Sequence, residues 1–170
     1  VEIEGDKRHS EILIDELNLQ NAKAVNTPAQ RLKQEEIMRN LDLPQLSDEK
    51  TTQYRSLTMR AAYAAQDRED LAEATKELAR HMQKPNSADW AALKRLGRYV
   101  KGRPRAVRRY YAQKMPKFLD IVVDSDHAGC VVTRKSTTGV AAKLGEHVVK
   151  SMSNLQSTVS LNSAESEYYA

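Results

Sequence analysis

Asp124, Asp126, Glu165 and Glu167 are the residues in this chain best placed, by type and spacing, to do chemistry. The two aspartates follow the apolar run Ile121-Val122-Val123, which predicts a buried strand with acids at its C-terminal end. The two glutamates sit in SAESEYYA, where Ser160 or Asn162 can open a helix. Carboxylates at a strand end are held rigidly and can converge with a carboxylate on a helix packed against the sheet. Mg²⁺ takes oxygen ligands from one or two such groups and from substrate phosphates. Two such ions about 3.5–4 Å apart activate a water and stabilise the leaving oxygen in phosphodiester cleavage. Each acid also has a plainer use. An Asp-x-Asp after a strand makes a solvated turn, and acids in the first turn of a helix suit its positive end. Glu165 and Glu167 are two residues apart, so only one of them can face the sheet.

The elements that must position these acids follow from the periodicity. The apolar members Ile12, Leu13, Leu17 and Leu19 predict a short N-terminal helix capped by Ser10, which Asn26-Thr27-Pro28 breaks. A weak helix over 30–40 and a loop over 42–47 come next. Ser47, followed by Asp48-Glu49, opens a helix running to about residue 66. A second run, over about 70–83, spaces Leu71, Ala74, Leu78 and Met82 helically. A third, capped by Ser87, puts Trp90, Leu93, Leu96 and Val100 on one face, and Gly102 and Pro104 close it. The period then changes. Strands are predicted over 107–111 and 118–123, and a hairpin over 139–144 and 147–152 turns at Gly145-Glu146. Thr158-Val159-Ser160 adds a short strand end before the last helix. The fold class is therefore α+β, with helices first and a β-β-β-α order from about residue 117. The predicted divisions are 1–46 (N-terminal helix and linker), 47–104 (helical region) and 105–170 (β-rich region).

Composition narrows the classes further. Aromatic residues make up only 5% of the chain, so any core rests on Leu, Ile, Val, Met and Ala, which favours packed helices. Cys130 is the single cysteine, which excludes an internal disulfide and a cysteine-based zinc cluster. No stretch approaches the roughly 18–20 apolar residues of a membrane span, so no membrane partner is expected. The net charge of +4 says little, but its distribution says more. No acid occurs between Asp89 and Asp120, while ten Lys or Arg lie between Lys94 and Lys117. The chain opens at Val1 without Met and stops inside a predicted helix, and from this we expect a piece of a longer protein.

Several motifs in order then carry a resemblance. The segment from YRSLTMRAAYAAQDREDL to ALKRLGRYVKG is similar to the region that follows the reverse-transcriptase core in copia-type retrotransposon Pol polyproteins. DSDHAGC, RKSTTG and QSTVSLNSAESEYYA resemble the start of that family's ribonuclease H domain. The resemblance covers residues 8–170. It implies a thumb/connection-like helical region followed by an incomplete ribonuclease H-like β-β-β-α unit. It further implies that Asp124 is the first catalytic aspartate, and that Glu167, followed by Tyr168 and Ala170, is the helix glutamate. These two would be the catalytic and Mg²⁺-ligating residues. Asp126 matches a family position without a firm catalytic role, and Arg134-Lys135-Ser136-Thr137 matches a turn that either contacts a substrate strand or holds structure. His127 stands where the family has Trp, and Gln66-Asp67-Arg68-Glu69-Asp70-Leu71 lacks the family's Pro. That loss removes a helix-starting constraint but no chemistry.

The resemblance also sets expectations for what is absent. No Tyr-x-Asp-Asp-type motif of a polymerase occurs here, and the third and fourth acids of a ribonuclease H site do not follow. The 170 residues are accordingly expected to lack appreciable nuclease activity, and a half-built sheet with an exposed apolar face and a free edge is expected to cost solubility or order. Partners implied are an RNA/DNA hybrid or duplex and the rest of the Pol polyprotein, in a cytoplasmic particle or the nucleus. Lys94, Arg95, Arg98, Lys101, Arg103, Arg105, Arg108 and Arg109, with Arg134 and Lys135, are the predicted nucleic-acid contacts. Cations that neutralise phosphates release counterions and give salt-sensitive, sequence-independent affinity, and the interleaved Tyr99, Tyr110 and Tyr111 could stack on bases. The alternative to a piece of an active enzyme is a degenerate or domesticated, non-enzymatic basic nucleic-acid-binding module.

Overall fold

The computed structural model describes residues 1–170. Its elements in chain order are β1 (Glu2–Glu4), α1 (Lys7–Glu16), α2 (Gln34–Leu41), α3 (Asp48–Asp67), α4 (Ala72–Arg80), α5 (Ser87–Gly102), β2 (Val107–Arg109), β3 (Leu119–Ser125), β4 (Thr137–Leu144), β5 (His147–Leu155) and α6 (Ser163–Tyr168). A single 3-10 turn, Glu69–Leu71, precedes α4. The architecture is α+β. The chain divides into two compact units, residues 2–108 and residues 109–170 with Val1.

The first unit is helical around a leucine core. Leu13, Tyr54, Leu57, Leu71, Leu93, Leu96 and Val100 are fully buried, and Leu17, Leu19 and Leu78 nearly so. Leu13, Leu17 and Leu19 share this core with α3, α4 and α5, so the N-terminal helix belongs to the same body as the helices that follow. Asp6, four residues earlier than expected, caps α1 by accepting the Arg8 N–H at 2.9 Å, and Ser10 is buried inside the helix. Asn86, one residue earlier than expected, caps α5 reciprocally with Asp89. The Asn86 carboxamide reaches the helix N–H groups, and the Asp89 carboxylate accepts the Asn86 N–H at 2.8 Å. Gly97 is where Leu19 crosses α5. A Cβ there would lie 2.5 Å from a Leu19 methyl, so any larger residue would have to displace the Leu19 side chain.

The second unit is a three-stranded antiparallel sheet in the order β3-β4-β5. Its register pairs Asp124 with Gly139 and Val122 with Ala141, and β4 with β5 through Val140–Met152 and Ala141–Ser151. The hairpin turns at Gly145, whose φ of 62° is the left-handed region that favours glycine. Residues 158–160 form no strand. β3 was expected to be buried, yet Ile121, Val122 and Val123 are 61%, 54% and 41% exposed. β3 has a neighbour on one side only, and the short α6 packs at its far end, so both faces of the strand stay open to solvent.

Candidate functional site

α6 meets the end of β3 through serines. Ser125 Oγ donates to Ser166 Oγ at 3.0 Å, and Ser166 Oγ donates in turn to the Ser163 carbonyl at 2.7 Å. Gln156 Nε2 ties the same helix to β4 by donating to the Ser166 carbonyl at 2.9 Å and to Thr138 Oγ1 at 3.0 Å. The buried residues of this unit are Cys130, Ser136, Gln156, Ser160 and Ser166, so its interior is mostly polar and rests on hydrogen bonds more than on apolar area, with Gln156 Oε1 left without a partner.

The four acids divide into two kinds. The Asp126 carboxylate accepts the Thr137 N–H, while the Asp126 N–H donates to the Thr137 carbonyl at 3.1 Å. Asp126 thereby extends the β3–β4 ladder into the loop. A Cβ at Gly129 would run into the Asp126 carboxylate and push it off the Thr137 N–H. The Glu165 carboxylate accepts the Leu161 N–H at 2.7 Å, and Asn162 Oδ1 accepts the Glu165 N–H at 2.9 Å. That is a helix-start role. Asp124 and Glu167, in contrast, are exposed. They flank the Ser125–Ser166 contact and do not converge on it. Side chains alternate along a strand, so with Ser125 directed at α6 the Asp124 carboxylate is turned to the other face of the sheet. Ser166 faces the strand, and the 3.6-residue helical period turns Glu167 away from it. Carboxylates suit Mg²⁺ by donor type, but no group of three or more His, Cys, Asp or Glu side chains is gathered anywhere in the chain. As placed, these residues do not fit a two-ion site.

The RKST turn is built around Ser136. Its fully buried Oγ accepts the Ala128 N–H at 3.0 Å and lies 2.9 Å from Ser160 Oγ, which is in turn 3.5 Å from His127 Nδ1. Arg134, at φ 58°, donates its N–H to the Cys130 carbonyl at 2.7 Å, and the Cys130 N–H returns to the Lys135 carbonyl at 3.1 Å. Ser136 and Thr137 therefore hold the loop, and Arg134 and Lys135 carry charge at its surface. Ser125, Ser136, Gln156, Ser160 and Ser166 were not singled out from the sequence. The available signal was polar residues recurring between the strands and the last helix, where apolar ones would be expected in a core.

The basic stretch is largely engaged within its own unit. Arg95 Nη2 donates to Thr27 Oγ1 at 2.8 Å, Arg98 Nε to the Lys23 carbonyl at 2.6 Å, and Lys101 Nζ to the Gln20 and Ala22 carbonyls at 2.6 and 2.7 Å. Three cations spaced along one side of α5 thus strap residues 20–27 to the helix. Their partners are neutral, so their positive charge is not cancelled. Arg105 is held bidentately by Glu4 at 2.8 and 2.9 Å, and Arg108 pairs with Glu69 at 3.2 Å. Lys94, Arg103 and Arg109 are exposed. Tyr99 is buried and cannot stack on a base, whereas Tyr111 is 70% exposed.

The segment without the expected proline is held by charge. Arg68, only 5% exposed, donates to both oxygens of Asp70 at 3.3 and 2.7 Å and caps the end of α5 through the Arg103 carbonyl at 2.7 Å. Tyr99 Oη donates to Asp70 at 2.8 Å. Burial works to raise the Asp70 carboxyl, but the hydrogen bonds from Arg68 and Tyr99 outweigh it and hold that group below the ordinary carboxylate value. Burial and then Asp70 push the Tyr99 hydroxyl upward.

The chain is 32% identical over 164 residues to the uncharacterized mitochondrial protein AtMg00810 of Arabidopsis thaliana, with 96% of this chain and 65% of that protein covered. It is 31% identical over 165 residues to the retrovirus-related Pol polyprotein from transposon RE2 of Arabidopsis thaliana, and 28% identical over 168 residues to that from transposon TNT 1-94 of Nicotiana tabacum. These alignments cover 96% and 98% of this chain but only 11% and 12% of the polyproteins. No family model and no solved structure matches the chain.

Proposed function

The chain belongs to the family of copia-type retrotransposon Pol polyproteins, and from that premise we propose that it is the part of such a polyprotein that holds template-primer nucleic acid and begins a ribonuclease H domain. The parent activity in this reading is RNA-directed DNA synthesis, with Mg²⁺-dependent removal of RNA from the hybrid. The antiparallel β3-β4-β5 sheet, with α6 bound to the end of β3, supports the ribonuclease H assignment. The observation that carries it is the division of the acids, which leaves Asp124 and Glu167 as the pair free of local structural duty. When bound in the parent, Mg²⁺ would supply an activated water for phosphodiester cleavage, and Asp124 and Glu167 would be two of several carboxylates around it. In this reading the 170 residues contribute two of the carboxylates, and their own function is binding.

The binding reading rests on the uncancelled charge of Lys94, Arg95, Arg98, Lys101 and Arg103, with Arg134 and Lys135. Arg105 and Arg108 are paired with acids and contribute less at the outset. Titration of an RNA/DNA hybrid at several salt concentrations tests this. A log-log plot of affinity against salt with a slope of several units is expected. A flat plot, or no binding at low salt, rejects the reading. The alternative is a degenerate or domesticated, non-enzymatic basic nucleic-acid-binding module that descends from such a polyprotein.

A further inference from the structure

A cavity of about 300 Å³ lies among the 3-10 turn, the end of α5 and β2. Four arginines (Arg68, Arg103, Arg105 and Arg108) and three acids (Asp67, Glu69 and Asp70) line it, and the four guanidinium groups are not equivalent. Arg68 is buried and saturated by Asp70 and the Arg103 carbonyl. Arg105 and Arg108 lie against the carboxylates of Glu4 and Glu69. Arg103 pairs with no carboxylate. Its guanidinium carbon sits 5.8 Å from the centroid of the Tyr99 ring, which the Tyr99–Asp70 hydrogen bond holds in place. A cation–π contact at this distance uses none of the N–H donors of the guanidinium, which stay available to an acceptor. That fork matches two oxygens of a phosphate.

We propose that this cavity receives a backbone phosphate of a nucleic-acid strand, with Arg103 as its ligand and Glu4 and Glu69 as built-in competitors that hold Arg105 and Arg108 until the phosphate enters. The inference deepens the binding function above and rests on it. Arg95, Arg98 and Lys101 rank behind Arg103 as the primary contact because each already spends a donor on the strap over residues 20–27. Glu4 and Glu69 give way because their ion pairs reach the surface, with the Arg105 side chain 62% and the Glu69 side chain 42% exposed. A single exposed pair such as Glu69–Arg108 contributes little and exchanges readily, whereas the bidentate Glu4–Arg105 pair holds more firmly. A phosphate in the cavity meets two or three guanidinium groups at once, whereas each carboxylate meets one.

The test is fluorescence anisotropy of a labelled RNA/DNA hybrid with the 170-residue chain at low salt, in the presence and absence of inorganic phosphate. Arg103→Gln is expected to weaken binding about tenfold or more. Glu69→Gln, which removes a competitor, is expected to tighten it about two- to fivefold. Lys50→Gln, exposed on α3, serves as the control for loss of one charge, and thermal melting by circular dichroism verifies that each variant is folded. Binding in which Arg103→Gln behaves like Lys50→Gln overturns this inference and leaves the binding function standing. Failure of the unaltered chain to bind the hybrid overturns both. Inorganic phosphate is expected to compete with the hybrid through Arg103, and phosphate that binds at Arg103 without displacing the hybrid would make this a free-phosphate site and overturn the assignment to a strand.

Discussion

Ser125 and Ser166 share a hydrogen bond of 3.0 Å that fixes the last helix on the end of the first strand of the sheet, and the two acids with the strongest family resemblance, Asp124 and Glu167, are their immediate neighbours. The serines, not the acids, are the residues in contact. Ser166 is fully buried, and removing its hydroxyl strands the Ser125 donor. Ser166→Ala is expected to destabilise the β-rich unit by about 1–2 kcal/mol, read as a lower midpoint in urea and faster proteolysis near residue 163. Unchanged stability would show that the contact carries no weight.

The four acids should separate by stability alone. Asp126→Ala removes the acceptor for the Thr137 N–H and Glu165→Ala the acceptor for the Leu161 N–H, and each is expected to cost about 1 kcal/mol. Asp124→Ala and Glu167→Ala, at exposed positions, are expected to stay within about 0.5 kcal/mol of the unaltered chain. Equilibrium unfolding of the four variants side by side decides it, and a large loss at Asp124 would mean that it has a structural partner.

The strap over residues 20–27 depends on cations that the sequence suggested for another purpose. Lys101 Nζ donates to two carbonyls, and Lys101→Met keeps most of the stem while deleting the charge. A loss of about 1–3 kcal/mol is expected, with faster hydrogen exchange confined to residues 18–27. Exchange that rises evenly through the helical unit would argue against a local strap.

A pH response is expected at the junction of α4 and α5. His81 Nδ1 lies 2.5 Å from Asp89 Oδ1, and this hydrogen bond, against the opposing effect of burial, raises the imidazole above its ordinary value. Glu77 also raises it and Arg80 lowers it. A raised folded-state value means that the charged histidine stabilises the fold. The contribution is complete below the ordinary histidine value of about 6.5 and disappears as pH rises through the higher folded value. Unfolding measured from pH 5 to 9 should lose stability in that window, and His81→Gln should flatten the loss. An equal pH profile for both proteins would exclude the pair as its source.

Much of this fold was legible in the sequence, and the exceptions have physical causes. The stripes Leu71, Leu78 and Leu93, Leu96 marked the helical core because apolar residues at helical spacing have to be buried somewhere. The hairpin at Gly145 was equally plain, since few residues tolerate its backbone angle. Ser10 was read as a cap because cap preference is a local rule, and Asp6 took that role while Ser10 went into the interior. Burial of β3 was read from Ile121-Val122-Val123, but burial depends on what else packs there, and sequence periodicity does not report it. The polar interior of the second unit gave no periodic signal at all, because serines and glutamine in a core are indistinguishable in sequence from serines in a loop. Charge runs were similarly silent. Arg98 and Lys101 read as surface cations, and only the fold shows their donors spent on backbone carbonyls.

Binding without cleavage is the behaviour expected of the 170-residue chain toward an RNA/DNA hybrid when Mg²⁺ is present. The decisive measurement follows binding by gel shift and strand integrity by denaturing gel in the same samples across a range of Mg²⁺ concentrations. The hybrid should be retained by the protein in low salt, with its RNA strand intact at every Mg²⁺ concentration. Cleavage of the RNA strand that Asp124→Asn abolishes would refute the account, because it would require a working metal site that Asp124 and Glu167 do not form as they are placed here.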